Sequence, residues 1–93
     1  MKYVLTYESA PELDRDLVSA NFQAHRARWE VFHRSGSLLM IGPFADPRQG
    51  AMAIFTTRQA AEEFAATDPF VLNGVVPGWT ITEWNEALAD VVE

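Results

Sequence analysis

Hydrophobic and polar positions along this chain change period several times, and the changes mark out its elements. Residues 2–8 are rich in aromatic and β-branched types and predict a first strand, with Tyr3, Leu5 and Tyr7 on one face and Val4 on the other. Ser9, Pro11 and Asp14 make residues 9–14 a turn-like connection. Over residues 14–35 the period becomes helical: Val18, Phe22, Trp29 and Phe32 fall within one stripe, and Gly36 stands where a helix usually stops. Residues 38–44 predict a second strand, residues 45–50 a hairpin loop, and residues 51–56 a third strand. Thr57 caps a second helix running to about Ala66, with Glu62 and Glu63 outward and Ala61, Phe64 and Ala65 inward. A fourth strand covers residues 79–84, and the tail from Asn85 is expected to form a short helical turn.

The order βαββαβ predicts one domain over residues 1–93. Its expected fold is the ferredoxin-like α+β fold, a four-stranded antiparallel sheet with both helices on one face. A sheet covered on one side should alternate apolar and polar residues. Here the second strand runs Leu38-Leu39-Met40-Ile41 and the third runs Ala51-Met52-Ala53-Ile54-Phe55. Two helices cover one face only, and soluble proteins seldom leave the other open and greasy. A partner subunit is the expected cover, making a homodimer with its two sheets packed against each other and a small-molecule pocket between those sheets. Trp79 and Trp84, an odd number apart, should face opposite sides of the fourth strand, one in the core and one at an interface or pocket wall.

Composition narrows the function classes. Apolar residues make up 48% and charged residues 22%, as in a soluble globular protein. The absence of Cys excludes both a disulfide framework and a thiolate zinc site. Seven basic against thirteen acidic residues give a net charge of −6, which argues against nucleic acid as a partner. Arg15, Arg26, Arg28 and Arg34 cluster in the first helix, a bias that fits either a solvated helix face or an anionic ligand. The N-terminus is too short and polar for a signal-peptide core, and no apolar run approaches a membrane span. A cytoplasmic location with no membrane partner is the default expectation.

Two residues raise a chemical question. Asp68 heads the otherwise apolar run Asp68-Pro69-Phe70-Val71-Leu72-Asn73-Gly74-Val75-Val76. Asp before Pro fits an N-cap with Pro at the first helical position and Gly74 closing a short turn. An inward Asp68 holding another polar group fits equally. His25 is the matching oddity: with Val18 at zero, it lies at about 340° on the helical wheel, between Phe32 at about 320° and Trp29 at about 20°. It therefore points at the sheet and needs a hydrogen-bond partner, whether as a satisfied core residue or as an acid–base group. His33 sits at the stripe's margin in the last turn, where a cation suits the helix dipole. The two histidines diverge by about 80°, which disfavours a shared metal. Neither GxSxG, GxGxxG nor a P-loop occurs, so no metal, flavin or nucleotide cofactor is expected. Gly42, at the end of the second strand, suits either a bulge or a ligand's close approach.

Taken together, the helix-one His25, "SGSLLMIGPFADP", "GAMAIFTTRQAAEEFAATDPFVLNGVV" and "WTITEW" resemble the YCII-related (YciI-like) family along nearly the whole chain. The resemblance implies a ferredoxin-like fold, dimers of the dimeric α+β barrel type, and a His–Asp pair that falls here on His25 and Asp68. Some members of that family are dehydrochlorinases acting on chlorinated hydroxyquinols. Asp68 would then both cap its turn and fix the tautomer of His25, leaving the other ring nitrogen to act as base or acid. Gly42, Pro43, Phe44 and Phe70 are the expected substrate-binding residues. The expected function is cofactor-independent elimination or isomerisation on a small aromatic or enolisable molecule. A non-catalytic, ligand-binding dimeric module is the alternative, and a purely structural dimerisation domain would have no pocket at all.

Overall fold

A computed structural model describes residues 1–89. The elements are β1 (Lys2–Tyr7), α1 (Arg15–Arg34), β2 (Leu38–Pro43), β3 (Ala51–Phe55), α2 (Arg58–Thr67), α3 (Pro69–Leu72) and β4 (Trp79–Trp84), with a 3-10 turn over Pro47–Gln49. All strand pairs are antiparallel in the order β2-β3-β1-β4, the ferredoxin-like arrangement expected from the sequence. The helix ends follow local chemistry. Asp14 caps α1 by accepting from the Leu17 N–H at 3.0 Å, and Thr57 caps α2 by accepting from the Ala60 N–H at 3.1 Å.

The tail is the one misplaced element. Residues 85–89 contain no helix, and the rest of the expected turn lies outside the described residues. Its geometry is set by a clasp: Glu86 bonds the N-terminal ammonium at 2.9 Å and Lys2 Nζ at 2.8 Å. Those two ion pairs hold Glu86 beside the start of β1.

Leu5, Leu38, Phe55 and Phe64 form the centre of the core, with Ala61 and Ala65 bringing α2 close to the sheet. Glu62 and Glu63 are exposed, as their phase on α2 requires. Phe32, Phe55 and Phe64 meet at centroid distances of 5.3–6.3 Å, in the tilted and edge-on arrangements that aromatic quadrupoles favour. Tyr7 pairs with Trp79 and Lys2 with Trp84. Trp79 therefore packs against the core while Trp84 lies on the far face, 46% exposed.

A bulge in β2 decides which residues reach the helix side. Leu38 pairs with Phe55 but Met40 pairs with Ile54, so Leu39 is an extra residue. The inward set is accordingly Leu38, Ile41 and Pro43, while Met40, 63% exposed, turns to the far face. Gly50 then starts β3 at φ 94°, a conformation side chains rarely adopt, with no space for a Cβ against the Tyr7 carbonyl. That close approach fixes the C-terminal end of β1, where Tyr7 points inward.

Candidate active site

α1 buries little of its length. His25 is its one fully buried residue, while Phe22, at 40% exposure, and the half-buried Val18 and Trp29 border a cavity of about 320 Å³. The cavity lies within one subunit, between α1, the sheet and the α3 segment, rather than between two packed sheets as expected; it is open to solvent on one side, and its walls are almost wholly apolar. Its polar end is the imidazole of His25.

Asp68 stands behind that ring. It is 0% exposed and occupies the junction between α2 and α3, where its side chain caps α3 by accepting from the Phe70 N–H at 3.2 Å. Pro69 fills the first helical position, and Gly74, at φ 83°, closes the turn. The same carboxylate lies 2.8 Å from His25 Nδ1 through both oxygens, and Tyr7 donates its hydroxyl to Oδ2 at 2.6 Å. Asp68 is thus both a cap and the partner of His25. One carboxylate joins three donors from β1, α1 and α3.

This arrangement assigns the protons. A carboxylate accepts only, so beside an ionised Asp68 the neutral ring carries its proton on Nδ1 and has Nε2 as its acceptor. Among the described residues Nε2 has no hydrogen-bond partner, and it is not sealed from solvent; the ring lines the cavity. The ring is also held in place. Phe70 stacks on it at 3.9 Å and 7°, and Trp29 meets it edge-on at 5.1 Å. Phe70 therefore serves twice, through its backbone to Asp68 and through its ring to His25. The Tyr7 phenol is pushed far above its ordinary value of 10, chiefly by burial and then by its bond to Asp68, against an opposing pull from Arg28. Tyr7 is accordingly a fixed donor to Asp68.

The remaining sequence candidates separate. Gly42 and Pro43 line the cavity; Phe44 does not, its N–H bonding Gly50 O at 2.9 Å in the hairpin. The bulge at Leu39 is the reason, because without it residues 38, 40, 42 and 44 would share the inward face. His33 is exposed and donates from Nδ1 to Leu38 O at 2.9 Å, tying the end of α1 to β2. Arg28 lies over the Phe32 and Phe64 rings at 5.1 and 5.8 Å and bonds Glu63 O and Thr67 Oγ1 at the end of α2. Arg26 pairs with Glu30 along the helix surface. No arginine of α1 reaches the cavity. Tyr7 was missing from the sequence candidates, although a large inward phenol on a buried face always needs a partner for its hydroxyl. Among the described residues no group of three or more His, Asp or Glu side chains could hold a metal ion, and no helix is long and apolar enough to cross a membrane.

The model of the YCII-related domain matches residues 1–85. This chain belongs to the YCII-related family. Among solved structures it is similar to 5-chloro-2-hydroxyhydroquinone dehydrochlorinase (TftG) from Burkholderia phenoliruptrix AC1100, in complex with 2,5-dihydroxybenzoquinone. The two share 19% identity and a TM-score of 0.70 over 94% of this chain and 96% of that one, a likeness of fold. A search of curated proteins finds no match to the sequence.

Proposed function

We propose that this YCII-related protein is a cofactor-independent acid–base enzyme acting on a small aromatic or enolisable molecule. The observation that carries the reading is the buried Asp68 holding His25 by Nδ1, with the ring lining an apolar cavity of about 320 Å³. In an elimination, Nε2 takes the substrate proton and the released electron pair forms the new π bond. The leaving halide departs with its own bonding pair, and the proton then passes from the imidazolium to water. In an isomerisation, the same imidazolium returns the proton to a second atom of the substrate. Asp68 offsets the charge that the ring acquires in either case. The likeness to a dehydrochlorinase supports the elimination, and Gly42, Pro43 and Phe70 are the wall residues that would meet the substrate. Phe44 would act only by shaping the hairpin behind them.

The working unit in this reading is a cytoplasmic homodimer. Val4, Met40, Met52 and Trp84 lie on the sheet face that no helix covers, and a second sheet would bury them. Sedimentation at low micromolar concentration should give twice the monomer mass, and Met40→Asp should dissociate the pair. A clean monomer would remove the dimer from the proposal. Turnover of chlorinated hydroxyquinols and enolisable lactones by the wild type, lost in His25→Ala, is the direct test of the chemistry.

One observation favours a second reading, a small-ligand-binding module. Among the described residues no Lys or Arg lines the cavity to stabilise an enolate or phenolate. Affinity for the same panel without conversion by the wild type would establish the module and overturn the enzyme.

A further inference from the structure

The polar content of the cavity is lopsided. Its ionisable lining residues are Tyr7, Glu8 and His25, and no Lys or Arg joins them among the described residues. The Tyr7 hydroxyl is committed to Asp68, and Ser9, the lining hydroxyl beside Glu8, turns to the Ala10 carbonyl at 3.4 Å. What remains on the wall for a ligand is the imidazole of His25, while Glu8, an exposed lining residue, brings its charge to the mouth. Behind His25 lies a second carboxylate, Asp68, and the chain as a whole carries −6.

Glu8 is positioned by its surroundings. Its backbone N–H donates to Gly78 O at 3.0 Å, joining the end of β1 to the segment before β4. Its carboxylate lies over Gly78, in the space a Cβ at that position would need. Among the described residues it forms no ion pair, and it is exposed where the cavity meets solvent. An anion entering there would lose its hydration to apolar walls with no counter-charge, and would pass an acidic side chain on the way. A neutral molecule bearing an O–H or N–H donor would meet His25 without that cost. A cation would also gain from Glu8.

Resting on the reading of this cavity as the ligand site, we infer that it selects neutral or cationic donor-bearing ligands against anions, and that Glu8 sets this selectivity. The test uses three probes of one shape, benzyl alcohol, benzylammonium and benzoate, with binding followed by calorimetry or ligand-observed NMR. The wild type should bind benzyl alcohol and benzylammonium at least about tenfold more tightly than benzoate. Glu8→Gln keeps the size and the backbone bond while removing the charge. It should weaken benzylammonium and strengthen benzoate by roughly three- to tenfold each, leaving benzyl alcohol within about twofold. An unchanged ranking in Glu8→Gln, tightest binding of benzoate by the wild type, or no binding of any probe would each overturn the inference. The ranking needs no turnover, so the two ideas fail separately. Charge selection with no conversion of any substrate defeats the enzyme alone, and conversion with no charge selection defeats the role of Glu8 alone.

Discussion

Asp68 and Glu86 are both carboxylates that gather several donors, yet they occupy opposite ends of the electrostatic range. Glu86 lies at the sheet edge between the N-terminal ammonium and Lys2, and these cations hold its carboxyl well below the usual range, at about 2. It is a surface clasp of full charges, screened by water and salt. Asp68 is fully buried and bonded to a phenol, a backbone N–H and an imidazole, none of which is a permanent cation. In water its situation would be unremarkable; in the interior every lost bond leaves a donor or acceptor without water to replace it. The surface site can lose a partner cheaply, whereas the buried one has its geometry imposed by three elements at once. Such a geometry is what a proton-transfer group requires, because the accepting nitrogen must stay aimed while its charge changes.

Four substitutions and one control would break or sharpen this contrast. The largest effect is expected at His25: His25→Ala should lower turnover by roughly 10²- to 10⁴-fold, while His33→Ala on the same helix should leave it nearly unchanged. Steady-state kinetics on whichever substrate the wild type converts provides the measure. Next, Asp68→Asn keeps the size and the capping ability but gives the imidazole a partner that can also donate. Turnover should fall by about 10- to 100-fold, and the ring ¹⁵N shifts of His25 should report a changed tautomer balance; unaltered shifts would reduce Asp68 to a cap.

Tyr7→Phe comes third. It removes one buried bond and should destabilise the fold by about 1 kcal/mol by denaturant titration at neutral pH. The sign with pH follows from the raised phenol. The folded chain favours the protonated form, so the contribution is complete below the ordinary value of 10 and is lost as pH climbs above it. Wild-type stability should therefore decline above about pH 10 more steeply than that of Tyr7→Phe. The smallest effect belongs to Glu86→Gln. The lowered carboxyl contributes above its ordinary value of 4.5, and the contribution disappears as pH falls towards about 2. The variant should lack that part of the acid limb, and high salt should erase the difference between the two proteins.

Much of this was readable from the chain alone. The order of strands and long helices follows from changes of period, and the phase of α1 aimed His25 at the sheet beside Trp29 and Phe32. Pairing it with Asp68, 43 positions away, needed the family resemblance, because period and propensity carry no information about which distant residues meet. Phe44 and the tail mark where local reading stops. One extra residue at Leu39 reverses the parity of everything after it in β2, and no pattern in an unbroken apolar run announces a bulge. Over residues 85–89 the expected turn is absent, and Glu86 pairs with the opposite end of the chain, a contact no window along the sequence contains. Tyr7 lay between these cases: its inward face was legible, but not which of the two inward tyrosines would reach a carboxylate.

The bonds at Asp68 also have a consequence for the order in which the chain folds. They link residues 43 and 61 positions apart, among the late and entropically costly closures of a chain this size. Neither the hairpin of β2 and β3 nor an isolated α1 can assemble the carboxylate with its donors. Both halves of the chain must have docked first. Recovery of function during refolding should consequently lag behind the return of helical signal, and a fragment ending before residue 68 should never acquire it.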